Sequence, residues 1–74
     1  MLKISDVSEF KHGDIVKFED SSAWWMFEIF EKTETMWRGQ LIDYNWPGHI
    51  LTLGDTFRFN NSWLATGTFT VLNR

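Results

Sequence analysis

The chain has no cysteine, a single proline, two histidines and no long apolar run. Without cysteine, neither a disulfide nor a thiolate zinc site can hold it together. No stretch approaches the roughly 20 apolar residues that a membrane-crossing helix needs. Met1-Leu2-Lys3-Ile4-Ser5 has no apolar core following its lysine, so it does not read as an export signal. These absences set a cytoplasmic location, away from membranes, as the expectation. Helical periodicity never runs beyond a turn or two, and no glycine-rich loop leads into a helix that could cradle a phosphate.

The chemistry of catalysis is equally thin. His12 and His49 have no neighbouring cysteine, and neither falls in a metal-binding or Ser-His-Asp pattern. Glu28 and Glu31 are three apart on an expected strand, which places them on opposite faces and removes them as a general acid/base pair. The expectation is a protein that is not an enzyme and uses no metal or cofactor.

What is present is aromatic surface. Seventy-four residues make one domain, 1–74, close to the size below which a single core needs help. Thirteen aromatic residues, five of them Trp, supply that help. Each can bury roughly 150–250 Å², worth several kcal/mol of gross transfer free energy at about 25 cal/mol per Å².

Ser5 to Lys11 reads as one helical turn, with Asp6 and Glu9 spaced as a capping box, docked through Val7 and Phe10. Gly13-Asp14 ends it. Strands are expected at Ile15–Phe18, Ala23–Glu31, Met36–Tyr44, His49–Leu53, Thr56–Phe59 and Thr68–Leu72, separated by polar or glycine turns every eight to twelve residues. Asn45-Trp46-Pro47-Gly48 is the strongest turn signal. Ala23–Glu31 is apolar on both faces, Trp25, Phe27 and Ile29 on one and Trp24, Met26 and Phe30 on the other, so something must cover the second face. Strict alternation from Met36 puts Trp37 and Leu41 on one side, and Arg38, Gln40, Ile42 and Tyr44 on the other. Gly39 marks a bulge, a bend or a close backbone approach. The fold expected is all-β: a small antiparallel barrel of five or six strands with one short N-terminal helical turn.

Phe10-Lys11-His12-Gly13-Asp14-Ile15-Val16-Lys17-Phe18-Glu19, followed by Trp24-Trp25, resembles the middle of a Src-homology-3 domain. The resemblance spans residues 10–25. It implies a Src-homology-3-like barrel, with Trp24 on a groove for proline-rich peptides and Trp25 in the scaffold.

Charge narrows the partners. Residues 1–34 carry a net −4 and residues 35–74 a net +1. An acidic first half disfavours a duplex-binding surface, and two arginines near Trp37, Tyr44 and Trp46 are too few to follow a single strand. Trp, Tyr, Met and Arg are the residue types that dominate interfaces. The best expectation is a protein-interaction module using Trp24, Met26, Arg38, Tyr44, Trp46 and Arg58. Its aromatic patch would be flanked by acids and would meet a protein partner or a second copy of the chain. A phage-type inhibitor of a host protein would suit such a module. The alternative is a barrel that holds a small planar or nucleotide-like ligand between Trp and Arg side chains.

Overall fold

Six short apolar segments pair into one antiparallel sheet in the computed structural model, which describes residues 1–74. They are β1 (Leu2–Ile4), β2 (Ile15–Glu19), β3 (Trp24–Lys32), β4 (Trp37–Asn45), β5 (Thr56–Phe59) and β6 (Thr68–Val71). Two 3-10 turns, Val7–Glu9 and Asn61–Ala65, complete the chain. Strand order is β1-β6-β2-β3-β4-β5. The last strand lies between the first two, setting Ile4 opposite Phe69 and Val16 opposite Val71. The radius of gyration is 11.5 Å, against about 11 Å for a compact chain of this length, so the sheet has curled into a barrel-like body.

Alternation builds the interior. Val16 and Phe18, Phe27 and Ile29, Phe69 and Val71 all point inward at a spacing of two, and Trp37, Leu41 and Phe59 join them. Phe10 reaches in from the N-terminal segment and meets Trp37, Phe59 and Phe69 edge-on at 6.3, 6.1 and 5.2 Å between ring centres. Such pairs each add about 0.5–1.5 kcal/mol beyond their area. The expected capping box is present: Asp6 accepts from the Ser8 N–H, and Glu9 accepts from the Asp6 N–H, both at 2.9 Å.

Three expectations are corrected. β1 was not foreseen, because three residues are too few to show a period. His49–Leu53 forms no strand; the Tyr44 hydroxyl accepts from the Leu51 N–H at 2.9 Å, a role a neighbouring strand would otherwise fill. Two bulges in the β3–β4 pair also break strict alternation. Met26 faces Asp43 and Phe27 faces Leu41, so Ile42 is an extra residue and Tyr44 turns inward opposite Trp25. Likewise Phe30 is extra, so Glu28 and Glu31 share the outer face, opposite Gln40 and Arg38.

Gly39 is a close approach as expected: a Cβ there would stand 2.9 Å from Phe59 Cε2 and 3.0 Å from the Glu28 carbonyl oxygen.

Candidate functional site

One end of the barrel is left unfilled. Phe18 of β2, Trp25 and Phe27 of β3, Phe57 of β5, Trp63 of the second 3-10 turn, and Trp46 and Leu51 of the β4–β5 loop surround an open hollow of about 210 Å³. All seven lining residues are hydrophobic.

Each wall has a local cause. Asp20 closes the β2–β3 turn by accepting from the N–H groups of Ser22 and Ala23 at 2.8 and 2.9 Å. The Ser22 N–H holds the Asp20 carboxyl below its ordinary value of 3.8 against an opposing desolvation, with smaller help from the Ala23 N–H and the Ser22 hydroxyl. That turn starts β3 in the register that sets Phe18 opposite Trp25, their rings 5.7 Å apart. Asn60 caps the second 3-10 turn through the Ser62 N–H. The turn brings Trp63 edge-on to Phe18 at 5.1 Å, and the Trp63 indole N–H donates to the Arg58 carbonyl at 3.1 Å. The floor is aromatic: Phe27 meets Phe57 at 5.3 Å and Trp63 at 6.1 Å.

The loop wall depends on Pro47 and Gly48. The His49 N–H donates to the Trp46 carbonyl at 3.0 Å, and Gly48 has φ of +83°, which the third position of a type II turn requires. This reversal stacks the His49 ring on the Trp46 indole, 3.6 Å between centres and 11° from parallel. The other side of the contact is Trp25, edge-on to Trp46 at 5.4 Å. Tyr44 pins Leu51 through its hydroxyl. Between the pinned points Ile50 is 95% exposed, and beyond Leu51 the side chain of Leu53 is 58% exposed.

The residues expected to bind a partner therefore divide. Trp46 lines the hollow, and Tyr44 supports it from beneath the loop. Trp24 and Met26 lie half-buried on the outer face of β3, with Lys17 Nζ 4.8 Å from the centre of the Trp24 ring. Arg38 also faces outward, paired with Glu31 and lying 5.5 Å from the centre of the Phe30 ring. Exposed Arg58 stands opposite it on β5. Neither arginine touches the hollow. Charged groups cover part of the second face of β3, the Lys17 ammonium over the Trp24 ring and the Arg38 guanidinium over the Phe30 ring.

Phe18, Trp25, Phe27, Leu51, Phe57 and Trp63 were not singled out from the sequence as a site. Period-two alternation groups Phe18 with Val16, and Trp25 and Phe27 with Ile29, on core-facing sides, and inward ordinarily means filled; Leu51 and Trp63 lie outside any strand, where no period marks them.

No three His, Asp or Glu side chains converge as a metal site would require. His12 is exposed. No helix is long and apolar enough to cross a membrane. Fold and site together define a small antiparallel β-barrel-like domain with an aromatic mouth. Comparison with protein-family models, curated proteins and solved structures finds no match.

Proposed function

We propose that the chain is a non-enzymatic interaction module that receives an apolar side chain of a protein partner in its aromatic mouth. The hollow at that mouth carries this reading. A cavity of about 150 Å³ lined by Leu, Ile and Phe suffices for benzene, so about 210 Å³ admits one aliphatic or aromatic side chain. Sites for whole small ligands run to roughly 300–1,000 Å³ and contain placed polar groups. This one is smaller and has no polar lining residue. The absence of Arg38 and Arg58 from its walls also argues against a nucleotide. Acids stand at the two ends of the loop wall, Asp43 and Asp55, and on the turn beside Phe18, Glu19 and Asp20.

Selection from a random displayed-peptide library tests this. Enriched peptides should share one apolar anchor and shift the indole N–H resonances of Trp25, Trp46 and Trp63. Trp46→Ala should weaken binding about 30-fold, the scale of an interface hot spot. Trp24→Ala should leave it unchanged. Peptides that bind the Trp46→Ala protein as tightly as the wild type would remove the mouth from consideration.

A further inference from the structure

The loop that walls the hollow also carries an apolar knob. Ile50 is 95% exposed, yet it follows His49 and precedes Leu51, and both neighbours are tied down. The tie is double. The Trp46-Pro47-Gly48-His49 turn fixes one side, and the Tyr44 hydroxyl fixes the other. The loop cannot fold Ile50 into its own hollow without giving up those bonds, because Leu51 already fills the wall there. A large apolar side chain held out in water on a pinned loop loses free energy of transfer and regains it only on a partner.

A surface that carries both knob and hole is self-complementary, and such surfaces close by a two-fold axis. Charge favours the same partner. Two copies at −3 repel each other, so self-contact is cheapest where formal charge is absent. Residues 44–54, which include Trp46, Ile50, Leu51 and Leu53, hold no Asp, Glu, Lys or Arg. Nor do residues 59–73, which supply Trp63.

We infer that the occupant of the mouth is Ile50 of a second copy of this chain, inserted reciprocally. The inference rests on the reading above that the mouth takes an apolar side chain. The contact is small. Ile50, Leu53 and the rim fall well short of the roughly 800 Å² per partner of a stable complex, which places the dimer among weak, transient contacts.

Sedimentation equilibrium from about 10 µM to about 2 mM spans that weak range. The average mass should climb toward twice the monomer's for the wild type and stay at the monomer's for Ile50→Asp. Ile50→Asp should keep its unfolding midpoint, because the side chain contacts solvent alone. In a mixture of ¹³C-labelled and unlabelled chains, filtered cross-peaks should connect the Ile50 methyls to the Trp46 and Trp63 indoles. A wild type that remains monomeric throughout, or a dimer that survives Ile50→Asp, overturns the inference. Titration with N-acetyl-isoleucine N-methylamide separates the two readings. If the wild type is monomeric and this probe still shifts the three indoles, the dimer fails and the receptive mouth stands. If it is monomeric and the probe shifts nothing, both fail.

Discussion

Two aspartates show how single residues set the frame. Asp6 and Asp20 each hold a turn by accepting backbone N–H bonds, from Ser8 in one case and from Ser22 and Ala23 in the other. Both carboxyls titrate below the ordinary 3.8, and in both the chief cause is the first of those N–H groups. The ionised form is the bound form. Its contribution to stability is therefore complete above the unfolded value and is lost as pH falls through the lowered folded value. The thermal midpoint of the wild type should drop as pH is taken from about 5 to about 2. Asp20→Asn keeps an acceptor oxygen without a titrating group, so its midpoint should drop less. Parallel curves for the two proteins would show that the Asp20 turn carries no acid sensitivity. The Asp6 box was legible because its partners are three residues apart, a local spacing. The hollow was not, because Phe18, Trp25, Phe27, Phe57 and Trp63 come from four separate segments and only the closed sheet brings them together.

Strands and turns were legible to the extent that their period was undisturbed. β2, β5 and β6 follow alternation through their length, and their ends lie within one residue of the expected ones. The β3–β4 pair was misread in its faces, since one extra residue inverts every later side chain. Ile42 and Phe30 are those residues, and neither has a side chain that announces a bulge. Gly39 and Gly67 mark where elements touch. A Cβ at Gly67 would stand 2.4 Å from the Glu19 carbonyl oxygen and 2.6 Å from Phe18 Cζ. At Gly39 the nearest atom is instead a ring carbon of Phe59, at 2.9 Å. Both alanine substitutions overpack, a defect that costs about 1–3 kcal/mol or more. Gly67→Ala should be the more damaging in urea denaturation, because backbone yields less readily than a ring. It should also disturb the mouth, since the displaced Phe18 is one of its walls. Equal losses at the two sites would mean that β2 and the Thr66–Thr68 corner separate freely.

For the molecule as a whole, the last two residues are fastened to the segment that leads into β2. Asn73 accepts from the Ile15 N–H at 2.9 Å and donates to the Gly13 carbonyl at 3.1 Å. Arg74 Nη2 donates to the Glu9 carbonyl at 2.8 Å and to Asp14 Oδ2 at 3.0 Å. Asp14 is only 3% exposed, and its carboxylate oxygen Oδ2 accepts from that partner and from the Lys11 N–H. Arg74→Ala should lower the unfolding free energy by about 1–3 kcal/mol, the cost of stranding a buried acceptor. Arg74→Lys should recover part of it, as an ammonium keeps the charge and can replace the donors of the single Nη2 but on a shorter stem. A loss below about 0.5 kcal/mol for Arg74→Ala, the background of surface changes, would show that the clasp is idle. Such long-range ties leave no trace in local spacing, which is why composition and period gave the class of fold and not its fastening.

The uncharged stretch beside the mouth also decides which enzymes can open it. From Gly39 to Phe57 there is no Lys or Arg, and from Tyr44 to Gly54 no Asp or Glu. A protease that cuts after basic residues finds no bond to cleave in that loop, and one that cuts after acids finds only Asp55 at its far end. One that cuts after large apolar side chains finds Tyr44, Leu51 and Leu53. Before Asp55 the loop is vulnerable only to enzymes that share the apolar preference of the mouth itself, and a side chain seated in that mouth shields the same bonds from them.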